Sequence, residues 1–182
     1  GKAFDSKPSL VVAVTTRGFV TTDGTKNVYV YTQGTNFGGI AKVGDMVKFS
    51  GVKAIYSNMP EVTPVTSVEV VSSGNNVSYP NPKDITASAG TYTATEAEFV
   101  SLTGTLSVSG IYYNLTLDAF ADGSKMGSIV YPVDDLNAAS FNGKKITITG
   151  YFNGLTSQNK YINIITTKIE EVEQPGEATL TN

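Results

Sequence analysis

The 182 residues include no cysteine, no histidine and no tryptophan. Without cysteine there are no disulfides, no thiolate nucleophile and no thiolate metal site. Without histidine the commonest general base and the commonest transition-metal ligand are gone. These absences argue against an enzyme, although carboxylates, lysine and tyrosine still offer acid–base groups. The expectation is a non-catalytic chain without metal or cofactor. No apolar run approaches the ~18 residues of a membrane span, and no basic segment leads into an apolar stretch as in a signal peptide.

What is present is a repeat. Val43-Gly44-Asp45-Met46-Val47-Lys48-Phe49-Ser50-Gly51 is echoed by Asn142-Gly143-Lys144-Lys145-Ile146-Thr147-Ile148-Thr149-Gly150, with 99 positions between Gly44 and Gly143. Each copy reads glycine, two mostly polar residues, an alternating strand, then glycine. A period of this length is that of a domain, longer than the 20–50 residues of a solenoid unit. Two small β domains in tandem follow, near the lower size limit for stable cores. Charge divides unevenly between them. Residues 1–73 carry seven basic and five acidic side chains, a net +2; residues 95–182 carry five and ten, a net −5. The first domain is thus the one suited to a polyanion.

Strand signals run through both halves. Leu10 to Arg17 is β-branched and apolar, Gly18 reads as a bend, and Phe19 to Thr22 continues the strand. Asp23-Gly24 marks a tight turn. Asn27 to Thr32 alternates, with Val28 and Val30 on one face and Tyr29 and Tyr31 on the other. After a glycine-rich loop, Met46 to Val52 and Val62 to Val71 complete the set. The second half repeats the order, with strands over Phe99–Val108, Ile111–Leu117, Ser128–Pro132, Lys145–Phe152 and Tyr161–Val172. A short helix is predicted over Asp134–Phe141, and Gly104 is a second bend glycine.

Strand, strand, strand, short helix, strand, strand is the order of the OB-fold, a five-stranded Greek-key barrel that binds oligonucleotides and oligosaccharides. The expected fold class is all-β, two tandem OB-like five-stranded barrels, the second with a short helix before its fourth strand. The predicted divisions are an N-terminal tail over 1–8, a first domain over 9–73, a linker over 74–94, a second domain over 95–172 and a tail over 173–182. Ile85 in the linker is expected to dock on a domain. Two small β-sandwiches of another topology are the alternative.

Gly18-Phe19-Val20-Thr21-Thr22-Asp23-Gly24, Val28-Tyr29-Val30-Tyr31 and the segment Val43–Gly51 resemble the OB-type domain of Bacteroidetes envelope lipoproteins. Gly127 to Pro132 and Lys144 to Gly154 resemble the C-terminal domain of such proteins. The resemblance covers about residues 9–172 and rests on fold motifs. It implies nucleic-acid binding by fold analogy alone, and fold does not imply function. It also implies a cell-envelope location, with a lipid anchor on a cysteine upstream of Gly1 as the only membrane attachment.

On the predicted ligand face of the first domain, Tyr29 and Tyr31 are candidates to stack on bases, with Arg17, Lys48 and Phe19 as neighbours. Sugars would stack on the same rings without needing positive charge. Ordinary strand packing is the plainer use of these tyrosines. Phe37, in the loop Gln33–Gly39, is a further candidate; no P-loop lysine follows that loop. Tyr112, Tyr131, Tyr151 and Tyr161 suit a carbohydrate or protein partner, or simple packing. Asp118, Asp122, Asp134 and Asp135 are read as turn and helix-start residues. The expected function is single-stranded nucleic-acid binding by the first domain. The alternatives are oligosaccharide binding and a structural module that contacts another protein.

Overall fold

A computed structural model describes residues 1–34 and 39–173. Phe37 and the residues from 174 onward lie outside the described residues. In the first half the strands are β1 (Ala3–Asp5), β2 (Ser9–Thr15), β3 (Gly18–Thr22), β4 (Asn27–Tyr31), β5 (Met46–Tyr56) and β6 (Met59–Ser72). The order β5-β2-β3-β4-β6 closes into a barrel because β5 also pairs with β6. β4 and β6 run parallel, as the third and fifth strands of an OB barrel do. In the second half, β7 (Lys83–Asp84) lies beside β8 (Phe99–Ser109), followed by β9 (Tyr112–Thr116), β10 (Met126–Ile129), β11 (Lys145–Thr156) and β12 (Tyr161–Glu171). Pairing of β11 with β8 closes this barrel, and β10 runs parallel to β12. The protein is two tandem five-stranded OB-like barrels.

The repeated glycines mark equivalent corners. Gly44 and Gly143 take positive φ (94° and 81°) in the turns that lead into β5 and β11. Gly51 and Gly150 sit at register shifts where those strands meet β6 and β12. A side chain there would strike backbone: a Cβ on Gly51 would lie 2.7 Å from the Pro64 carbonyl oxygen. The sequence repeat therefore encodes the bends that close each barrel.

Two expectations are corrected, and the short helix expected before the fourth strand of the second barrel is present in 3-10 form. Gly18 does not bend one long first strand; it opens β3 after a two-residue turn at Thr16-Arg17. The Thr15 hydroxyl organises that turn, accepting from the Arg17 amide at 3.1 Å and donating to the Gly18 carbonyl at 3.3 Å. The helix expected over Asp134–Phe141 is two 3-10 turns, Asp134–Leu136 and Ala138–Phe141, broken by Asn137 in the left-handed region (φ 48°). Residues 3–5, expected in a tail, pair with β5. There Phe4 packs edge-on to Phe49 at 5.9 Å.

The barrels are joined by packing. Inward residues Val11, Phe19, Val30, Val47, Phe49 and Val62 form the first core. A bulge between Val11 and Ala13 lets Val12 and Ala13 both face outward. With Val20, Tyr29 and Met59 they enter one continuous apolar cluster with the second barrel, and Ile85, Ala89 and Tyr92 of the linker join it. Ile85 is fully buried, and Thr86 Oγ1 accepts from the Thr103 amide at 3.0 Å, so the linker is docked. Tyr79 stacks on Phe99 of the second barrel (5.2 Å, 7°) while its hydroxyl donates to the Val12 carbonyl of the first at 2.6 Å. Tyr79→Phe leaves that carbonyl without this donor. Denaturant titration should show a loss of about 1 kcal/mol with an unchanged m-value; no loss would remove the tie.

Candidate functional site

The outer face of β2–β4, where a ligand groove was expected, is the face on which the second barrel sits. Val12, Val20 and Tyr29 are buried there. Tyr29 is 4% exposed, and its hydroxyl pairs with Thr15 Oγ1 at 2.8 Å. Burial pushes its pKa up, against the Thr15 hydrogen bond that lowers it. Where the two barrels diverge, the interface opens into a cleft of about 540 Å³. That volume falls within the range of small-ligand sites.

The cleft is aromatic. Tyr29, Tyr31 and Tyr56 come from the first barrel and Tyr112, Tyr113 and Tyr131 from the second. Tyr31 lies against Tyr29 with ring centroids 6.0 Å apart. The alternation of β4 produces this pair: Val28 and Val30 turn into the first core, leaving both tyrosines outside. Two hairpin tips form the rim. Ile55 and Tyr56 end β5, while Ile111 and Tyr112 open the β8–β9 hairpin. These four are 79%, 61%, 60% and 65% exposed and share one cleft, so they make a contiguous apolar rim.

Polar groups are few and held in place. Asn163 donates to the Gly154 carbonyl (3.1 Å) and to Thr156 Oγ1 (3.0 Å). Asn153, Gln33 and Thr63 also line the walls. Glu61, paired in register with Tyr29, is the one charged residue of the described lining. It is 8% exposed and enters none of the ion pairs among the described residues. Desolvation raises its pKa. A carboxylate raised above its unfolded value of 4.5 binds more protons in the folded state. Its contribution is therefore fully favourable below pH 4.5 and is lost as pH rises through the folded pKa. Glu61→Gln should raise the Tm at pH 7 and leave it unchanged at pH 4. Thermal scans at the two pH values check this, and an equal effect at both would place the carboxylate in water.

Arg17 stands beside the cleft. Its guanidinium lies 4.2 Å from the centroid of the Tyr131 ring, and Nη1 donates to the Tyr131 hydroxyl at 3.2 Å. A hydrogen bond with Tyr31 and the nearby Tyr131 hold its pKa above the ordinary value. Tyr131 itself has a left-handed backbone (φ 35°), and its carbonyl accepts from the Thr16 amide at 3.0 Å. Positions held at such angles cluster at functional sites.

The candidates from the sequence divide accordingly. Tyr29, Tyr31 and Arg17 come together with Tyr131. Phe19 is a correction: it is 1% exposed, edge-on to Phe49 at 6.3 Å in the first core, and cannot reach a ligand. Lys48 is exposed on β5 opposite Glu69 and does not line the cleft. Phe37 lies outside the described residues. Tyr151 is buried, its pKa pushed up to about 12 by desolvation. Sequence reasoning missed Tyr56, Tyr113, Glu61, Asn153 and Asn163. An available signal was Ile-Tyr beside a turn in both halves, at Ile55-Tyr56 and Ile111-Tyr112, since hairpin tips are seldom apolar without a partner.

The sequence matches no protein-family profile and no curated protein. Among solved structures the chain is similar to a murine DNA-binding protein bound with double-stranded DNA. The identity is 14% over 96% of this chain and 98% of that one, with a TM-score of 0.43. It is also similar to the tetrameric p202 HIN2, at 13% identity over 95% and 96% of the two chains and a TM-score of 0.39. Identity this low carries no ligand from one chain to another. The resemblance to Bacteroidetes envelope lipoproteins rests on its sequence motifs alone.

Proposed function

We propose that this chain is a non-catalytic carbohydrate-binding protein that takes a neutral oligosaccharide in the cleft between its barrels. The observation that carries the reading is the lining: six tyrosines, amide and hydroxyl side chains, one desolvated carboxylate, and no lysine or arginine among the described residues. Sugar rings offer apolar C–H faces to aromatic rings, and their hydroxyls donate to carboxylate and amide oxygens. A phosphodiester chain brings one negative charge per nucleotide, which Glu61 opposes and no lining cation offsets. OB barrels take oligosaccharides as well as oligonucleotides. The envelope setting implied by the resemblance is compatible with a glycan ligand.

A second reading, single-stranded nucleic acid, has one observation in its favour: Arg17 on the Tyr131 ring, at the edge of a domain of net positive charge. A single phosphate contact by Arg17 would give a slope of about −0.7 in log K against log salt.

Both readings are tested together by screening neutral glycans and by titrating a labelled single strand, DNA and RNA, at low and near-physiological salt. Saturable glycan binding indifferent to salt supports the first reading. Salt-dependent strand binding with no glycan hit replaces it with the second.

A further inference from the structure

A second, smaller pocket of about 270 Å³ lies on the other side of the β5–β6 hairpin. Tyr56 and Thr156 line the first cleft, while their chain neighbours Ser57 and Leu155 line this one. The hairpin tip therefore stands between the two. It is seated on Gly154, where a Cβ would meet Ser57 Cβ at 2.8 Å. Three pieces of chain build the pocket: Ser57 and Asn58 of the first barrel, residues 90–94 of the linker, and Lys125, Leu155 and Asn159 of the second barrel.

Lys125 is its only charged described residue. The residue is 8% exposed, and Nζ donates to the Asn159 carbonyl at 2.6 Å. None of the ion pairs among the described residues includes Lys125. An ammonium has three donors, and withdrawing it from water costs several kcal/mol unless charge or hydrogen bonds compensate. One carbonyl is thin compensation. Desolvation accordingly lowers the Lys125 pKa. The carbonyl is presented by a costly backbone: Ser157, Gln158 and Asn159 take φ of 54°, 56° and 66° in succession. Left-handed residues other than glycine cost roughly 1–2 kcal/mol each and seldom occur in runs. The walls add the Ser57 and Thr93 hydroxyls and the Asn58 amide, all potential donors.

We infer that this pocket is a second ligand site, one that takes a small oxyanion (a carboxylate, sulfate or phosphate group) against the Lys125 ammonium. The anion supplies the charge that the protein withholds, and the neighbouring hydroxyls and amide supply donors to its remaining oxygens. The site is independent of the sugar cleft. Because three segments converge on it, an anion bound there would brace the barrel junction.

The test is thermal unfolding in sulfate, with acetate as the carboxylate arm and chloride at matched ionic strength as control. The variant is Lys125→Gln, which keeps an N–H for the Asn159 carbonyl and removes the charge. Wild type should show a saturable Tm rise of about 3–6 °C at tenfold excess over the dissociation constant. The variant should show only the gradual, non-saturating effect of an excluded salt. A response to sulfate alone would assign a tetrahedral oxyanion; a response to both would admit carboxylates. Equal rises in wild type and variant would overturn the site. Should the variant not fold, amide chemical shifts of Ser57, Asn58, Thr91 and Thr93 in the wild type decide. Saturable sulfate-dependent shifts support the site, and their absence removes it.

Discussion

Tyr56→Ala combined with Tyr112→Ala should weaken glycan binding about 100-fold and leave the Tm within about a degree of wild type. Each ring stands mostly in water in the free protein, at 61% and 65% exposed, so truncation removes little folded packing. The two rings come from different barrels and face one cleft. A ligand bridging them loses two stacking surfaces at once. Aromatic contact residues commonly contribute about 1–2 kcal/mol or more each on truncation, and about 2.8 kcal/mol together is 100-fold. Isothermal titration against the best glycan from the screen measures the loss. An unchanged affinity would move the ligand out of this cleft. The same pair offers a control against the nucleic-acid reading, because removing two neutral rings leaves any salt slope intact.

Tyr29 belongs to a different class. The alternation of Asn27–Tyr31 places Tyr29 and Tyr31 outside the first barrel, and the structure agrees. Being outside one barrel is not being in water, however. Tyr29 is 4% exposed beneath the second barrel and bonded to Thr15. Tyr29→Ala therefore costs folding, by about 3–5 kcal/mol for a buried aromatic truncation, and is a poor probe of binding.

This contrast shows what the sequence makes legible. Period-two alternation reports the inside and outside of a strand within its own sheet, and paired glycines report where a strand must bend. Val28, Val30, Val47 and Phe49 could be placed inward on that basis, and Ile85 could be docked because an apolar residue in a polar linker has no other use. Gly18 reads as a bend in the sequence because a glycine-led strand after a Thr-Arg turn has the same letters as one bent strand. The Thr15 hydroxyl that settles the matter acts through geometry. The cleft was out of reach for a further reason. Its walls come from β4–β6 of one barrel and β9–β12 of the other, and their meeting depends on how two closed barrels dock. That docking is set by the Val12 bulge, Met59, Tyr79 and Phe99 together, and no local pattern encodes their sum. Glu61 illustrates the same limit: on a strand it reads as a solvent-facing charge, yet it is buried in the cleft that both barrels line.

Gly150→Ala should destabilise the protein more than an alanine at any other glycine of the repeat. A Cβ at this position would lie 2.0 Å from the Ile165 carbonyl oxygen and 2.8 Å from both the Ile165 carbonyl carbon and the Thr166 Cα. All three are backbone atoms of β12, so no side-chain rotation relieves the overlap. The strand must move as a unit. Moving it opens the β11–β12 ladder just where the register shifts between Thr149 and Gly150. It also displaces Ile164 and Ile165, which are buried in the shared cluster. Overpacking in a core typically costs 1–3 kcal/mol when side chains can yield; with backbone on the other side, a cost of at least about 4 kcal/mol is expected. Gly143→Ala, in the same repeat, is the internal comparison. Nothing lies within 4 Å of a Cβ there, and only the positive φ of 81° is at stake, which costs about 1–2 kcal/mol. Urea titration of the two variants separates the causes. If Gly150→Ala lost no more than Gly143→Ala, the second glycine of the repeat would be marking a turn-like conformational need. The close passage of strand over strand would then not be what it protects, and the account of the repeat as two barrel-closing corners would fail.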